Sequence, residues 1–196
     1  PIYPASQTRI SYDPGSLNAD TQYFWQIVAL DDQGESTAGP VWSFTTGNGS
    51  APLVFHAIQD ILVSHSGISG NYTSTHASDD AYEGITERVT NKSFLEHKWV
   101  FDVVGGYSAY TFYLEAHHTF NTEGDDFIFA YSTDDVNYFN FVTVTKTSDD
   151  GSYQAGALPA TIGGTVYIRV VDANRTKGNK VMDTIYVDHM YIEAVE

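Results

Sequence analysis

Apolar and polar residues alternate with a period of two along most of the chain. In LEHKWVF, Leu95, His97, Trp99 and Phe101 share one face; in DFIFAYS, Phe127, Phe129 and Tyr131 do so; in TVYIRVV, Val166, Ile168 and Val170 do. Gly, Asn, Asp, Ser or Pro bounds nearly every such run, the composition of turns between strands. No window carries the i, i+3, i+4, i+7 spacing of a capped helix. The nearest approach, SDDAYEGITERV, reads as a loop with one turn at most. The pattern predicts an all-β chain.

One boundary interrupts it. TTGNGSAP, residues 45–52, is small, polar and rich in Gly and Pro, which predicts a linker over 47–52 between units at 1–46 and 53–196. In the first unit, Leu17 precedes a turn and Thr21 and Tyr23 open a strand whose face continues through Trp25, Ile27 and Ala29. A DDQGES turn follows, with Trp42 and Phe44 in the last strand. This pattern resembles the C-terminal half of a fibronectin type III domain, in which a tyrosine placed like Tyr23 often makes the corner hydrogen bond of the sandwich. A complete domain of that kind needs about 90 to 100 residues and seven strands. The resemblance therefore implies a partial sandwich, completed by strands from upstream chain or from a neighbouring molecule, within a longer secreted protein.

The second unit has alternating segments at close spacing and no blade-length repeat, as expected for a two-sheet antiparallel jelly-roll β-sandwich. Its YSTDDVNYFNFVTVT is similar to the YSTDG hairpins of secreted bacterial jelly-roll modules. DTIYVDHMYIEA looks like their closing strand. Such words recur in carbohydrate-binding modules and in accessory domains of secreted proteases, so they imply architecture more than activity.

Charge narrows the partners. With 25 acidic against 9 basic side chains the net charge is -16, and no basic cluster exists to meet nucleic acid or an anionic membrane. No apolar run approaches the roughly 20 residues of a spanning helix, which predicts no membrane insertion. Cysteine is absent, which removes disulfides, thiolate catalysis and cysteine zinc sites.

The carboxylates cluster at turns: Asp79–Asp80, Asp125–Asp126, Asp134–Asp135 and Asp149–Asp150. Asp stabilises turns by bonding its own backbone, and charged strand ends hinder edge pairing, so solvation is one account. Calcium is the other, since it takes six to eight oxygen ligands that a jelly roll can gather from distant loops. For a single calcium the candidates are Asp125 and Asp126 with Asp183 and Asp188; the resemblance puts an ion near the last strand. Asp188 lies mid-strand, where it needs an ion, solvent, or a partner such as Arg169 or Arg175. Asp79, Asp80, Glu83 and Glu87 form a competing cluster.

Other chemistry is disfavoured. His117 and His118 are adjacent on a strand and face opposite ways, and neither HxH nor HExxH occurs, which argues against zinc. There is no GxSxG elbow. Aromatic content supports binding instead: 14 Tyr, 11 Phe and 3 Trp can supply flat surfaces for sugar rings. Candidate platforms are Tyr107, Tyr110, Tyr138 and Tyr153, and ordinary strand packing is the competing role for each. The expectation is a non-catalytic extracellular module that binds polysaccharide or another glycan, with calcium as a stabilising cofactor. The alternative is a structural or adhesive surface or filament protein whose modules associate through strand edges.

Overall fold

Alternation becomes strand almost everywhere in the computed structural model, which describes residues 14–47 and 51–196; no α-helix occurs among them. The chain divides into two units, Pro1–Ala51 and Pro52–Glu196. Residues 48–50 of the expected linker lie outside the described residues.

The first unit contains a β-hairpin, β1 (Gln22–Leu30) and β2 (Ser36–Thr45). Tyr23 pairs with Phe44 and Trp25 with Trp42, so these aromatic side chains share one face, and the two indoles stack with centroids 4.6 Å apart. The Asn18 N–H donates to the Tyr23 hydroxyl at 2.8 Å. No described residue of the first unit closes this face: Trp25 is 49% and Trp42 40% exposed.

The second unit is a two-sheet antiparallel sandwich of jelly-roll type. Its strands are β3 (Leu53–Phe55), β4 (Ala57–Ser64), β5 (Gly67–Ser69), β6 (Glu83–Thr86), β7 (Arg88–Val89), β8 (Ser93–Phe94) and β9 (Glu96–Val103). There follow β10 (Ala109–His118), β11 (Phe127–Ser132), β12 (Phe139–Val144), β13 (Gln154–Leu158), β14 (Gly164–Asp172) and β15 (Thr184–Val195). One sheet runs β13-β10-β15-β6-β5, with β3 also on β15; the other runs β12-β11-β14-β9-β4.

The inward faces are those the alternation marks. Leu95, His97, Trp99, Phe101, Val166, Ile168 and Val170 are fully buried, and Tyr131 packs half-buried against the core. Trp99 lies parallel to Phe129 at 5.9 Å, and Phe101 meets Phe112 of the other sheet edge-on at 6.4 Å. Burying an apolar side chain of this size contributes roughly 1.5–3 kcal/mol.

One element departs from expectation. SDDAYEGITERV is not a loop with a turn; it carries β6, whose inward positions are Glu83 and Ile85, with Glu87 continuing that face. Acidic residues at buried positions hide the period of two from a hydrophobicity reading.

Candidate functional site

Two clusters of polar side chains stand out in the second unit, one on the outer face of the β10 and β15 sheet and one at an end of the sandwich.

On β10 the outward positions are Tyr113, Glu115 and His117; on β15 they are Tyr186, His189 and Tyr191. A bulge between Glu115 and Ala116 in this pairing leaves Asp188 as an extra residue beside Glu115. Tyr113 stacks on Tyr191 at 5.0 Å, His189 packs against Tyr191 at 4.9 Å, and His56 stacks on His189 at 5.7 Å. Gly84, opposite Tyr186, leaves no Cβ under that ring; one there would come within 3.2 Å of it. Half-buried aromatic rings thus occupy outward positions, which a freely solvated sheet fills with polar residues.

Two loops border the rings. Tyr82 donates to Asp149 at 2.7 Å, tying the 76–82 and 146–153 loops together. The Tyr153 hydroxyl lies 2.6 Å from His189 Nδ1. Glu115 and Asp188 are buried at the base, and Glu115 Oε2, Asp188 Oδ2 and His189 Nε2 have no hydrogen-bond partner. Burial raises the Asp188 pKa, opposed by the Asp79 N–H and reinforced by Glu115. Burial lowers that of His189, with His56 and His76 adding to the effect. The result is a cluster of flat rings around unsatisfied acceptors.

The second cluster follows from topology. β11 begins where its antiparallel neighbour β14 ends, Phe127 pairing with Asp172; β15 begins where β6 ends, Thr184 pairing with Thr86. Asp125, Asp172, Asp183 and Glu87 thereby meet at one end of the sandwich, all buried, with Asn179. Asn121 holds the approach: its Oδ1 accepts from Glu123 N and Gly124 N at 2.8 Å each, and Gly124 takes a φ of +73°. Asn179 Nδ2 donates to both Asp125 oxygens, at 3.0 and 2.8 Å. Thr119 and Asn121 donate to Asp183, whose own N–H donates to Glu87 at 2.9 Å.

Those donors do not satisfy the cluster. Glu87 Oε1, Asp172 Oδ2 and Asn179 Oδ1 are buried without partners. Burial, with the charges of Asp172 and Asp183, pushes Glu87 up to about 8. Burial likewise raises Asp172, beside Asp125, and Asp183. Arg175, which eases Asp172, donates to the Leu95 carbonyl at 2.7 Å. Oxygen donors with orphaned lone pairs are the ligand type a hard cation takes, while the raised pKa values favour the neutral acids when no charge compensates them.

The expected calcium residues divide. Asp125 and Asp183 are in this cluster. Asp126 borders it, its side chain 40% exposed and 3.8 Å from His118. Asp188 is not in it: five residues beyond Asp183 on a strand, it stands roughly 16 Å away by strand rise and belongs to the outer face. It meets neither suggested arginine, since Arg169 pairs with Glu96 at 3.7 Å and Arg175 is engaged at Leu95. The competing set splits as well, with Asp79 and Asp80 in an outer-face loop and Glu83 and Glu87 inside.

The expected sugar platforms divide too. Tyr153 belongs to the outer face. Tyr110 is 1% exposed, with its hydroxyl donating to the Val104 carbonyl at 2.8 Å, so its ring has no free face. Tyr107 is half-buried against Tyr110. Tyr138 carries the Arg169 guanidinium 3.8 Å above its ring and donates to Asp135. Sequence reading missed Tyr113, Tyr191 and His189, although outward aromatic positions on two strands were there to be noticed.

No family model and no curated protein matches the chain. Among solved structures it is similar to a family 61 carbohydrate-binding module in complex with β-1,4-galactotriose, at 14% identity and a TM-score of 0.38, over 64% of this chain and 79% of that one. It is also similar to a family 29 carbohydrate-binding module, at 12% identity and a TM-score of 0.39, over 89% and 87% respectively. A third structure concerns the promiscuous specificity of β-sandwich carbohydrate-binding modules, at 12% identity and a TM-score of 0.39, over 87% and 74%.

Proposed function

We propose that the second unit is a non-catalytic carbohydrate-binding module of a larger secreted protein, stabilised by calcium. The observation that carries the binding role is the outer face itself, where Tyr113, Tyr153, Tyr191 and His189 surround the unpartnered acceptors of Glu115 and Asp188. Rings of this kind pack against the C–H faces of a sugar, and buried carboxylate oxygens accept from its hydroxyls. Glu87, Asp125, Asp172 and Asp183, with Asn179, would hold the calcium. That ion supplies positive charge to a carboxylate set with none adequate of its own, and so fixes four strand ends together.

A glycan array followed by calorimetry tests the binding role. Tyr191→Ala is expected to weaken binding at least tenfold with the thermal melt preserved. Hydrolysis of a polysaccharide abolished by Glu115→Gln would replace the reading with an enzymatic one.

The hairpin supports a second reading for the first unit, that of the last strands of a fibronectin type III sandwich. The open Trp25 and Trp42 face and the Asn18–Tyr23 hydrogen bond favour it. The covering strands would come from another chain segment or a neighbouring molecule, which also keeps the adhesive, module-to-module role in view. Concentration-dependent self-association abolished by Trp25→Ser would support supply by a neighbour; a monomer at all concentrations would remove it.

A further inference from the structure

A third polar group lies inside the sandwich, apart from both clusters. Asp60 is on β4, at the edge of one sheet, and His97 is on the adjoining β9; Glu83 reaches them from β6 of the other sheet. One ligand atom from each residue lies within 4.8 Å of the others. Glu83 and His97 are fully buried, whereas Asp60 is half-buried.

Their donor atoms are poised and unused. His97 Nε2 stands 3.4 Å from Glu83 Oε1, yet neither atom makes a hydrogen bond, and His97 Nδ1 has no partner either. Two ligand atoms each about 2.1 Å from a tetrahedral ion are separated by about 3.4 Å. The other Glu83 oxygen is fixed, accepting from Trp99 Nε1 at 2.7 Å, and the His97 ring packs edge-on against the Trp99 indole at 4.6 Å. Such outer contacts orient ligands before the ion arrives.

The geometry points to a binding site for a divalent transition metal at Asp60, Glu83 and His97, clamped between the two sheets. One imidazole nitrogen with two carboxylate oxygens suits zinc or a neighbouring first-row ion and is a poor match to calcium, which takes oxygen. The remaining coordination position would take water on the Asp60 side. The absence of paired histidines in the sequence argued against zinc; a site with one histidine leaves no such spacing. This site is independent of the proposed calcium and sugar sites.

The full chain is tested by equilibrium dialysis with zinc and by titration with cobalt(II), whose absorption reports coordination. One tightly held equivalent is expected, undiminished by excess calcium, with cobalt quenching of tryptophan fluorescence through the neighbouring Trp99. Asp60→Asn, a near-isosteric change at a half-buried position outside the apolar core, should weaken binding at least tenfold. His97→Gln should abolish both binding and quenching, while Asp134→Ala at a turn tip leaves both unchanged. The inference is overturned if the unaltered chain takes up no stoichiometric zinc or cobalt. It is equally overturned if Asp60→Asn and His97→Gln bind as tightly as the parent, which would place the metal on the outer-face histidines.

Discussion

Carboxylates at the turn tips and carboxylates at the end of the sandwich answer to opposite electrostatics. Asp134 accepts from the N–H groups of Val136 and Asn137, at 2.9 and 2.8 Å, and from side chains of Asn137 and Ser132; these bonds lower its pKa. Asp150 is lowered to about 2 by Lys146 and Ser152. Glu87, Asp172 and Asp183 have fewer donors than lone pairs, and burial raises all three. Asp134 and Asp150 are held by donors of their own loops, whereas the interior set is short of donors. Acidity in the sequence is thus one signal with two causes, which burial and hydrogen bonding separate.

Chelation gives the largest contrast. With calcium at about a thousand times its dissociation constant, binding adds about 4 kcal/mol of stability. Removing it should lower the melting temperature by about 10 °C, as read by calorimetry; no change would leave the interior carboxylates without their cation.

Acidity should modulate that contrast. The unfolded chain titrates Glu87 near 4.5 and the ion-free fold near 8. Its contribution to ion-free stability is therefore fully present below about 4.5 and is lost as pH rises through about 8. Calcium opposes the loss, so the calcium-induced rise in melting temperature should widen between pH 5 and pH 8. Asp134 and Asp150, shifted the other way, contribute above their unfolded values and lose that contribution only in stronger acid.

Glu87→Gln sharpens the comparison at one residue. Neutralising this side chain should leave chelated protein as stable as the parent or more so at pH 8, while removing most of the response to calcium. Smallest is Asp134→Ala, expected to lower the melting temperature by a few degrees through lost turn bonds, equally with calcium and with chelator. A calcium-dependent effect there would merge the two groups.

The fold was largely legible. Alternation in LEHKWVF, DFIFAYS and TVYIRVV places the right residues inward because neighbouring strand residues point to opposite faces whatever the topology. It failed at β6, where Glu83 and Glu87 take buried positions and erase the apolar period. Asp125 could be named from its place at the start of a strand, and Asp183 from the resemblance of the closing segment to jelly-roll modules. Glu87 groups in the sequence with Asp79, Asp80 and Glu83 instead, and Asp172 is not among the candidates at all, because only the pairing of β6 with β15 and of β11 with β14 brings the two together.

The aromatic positions divide in the same way. Tyr110 and Tyr113 lie three residues apart on β10 and so point to opposite faces, but that the Tyr110 face is the sealed one was decided by how the sheets pack. The sequence by itself determined the strands, their inward faces and an excess of negative charge, since these follow from local backbone geometry and composition. Which carboxylates are buried together, which rings share an open face, and how Asp60 and Glu83 come within reach of His97 were decided by the tertiary structure. Those relations depend on contacts between strands far apart in the chain, and residue spacing carries no record of them.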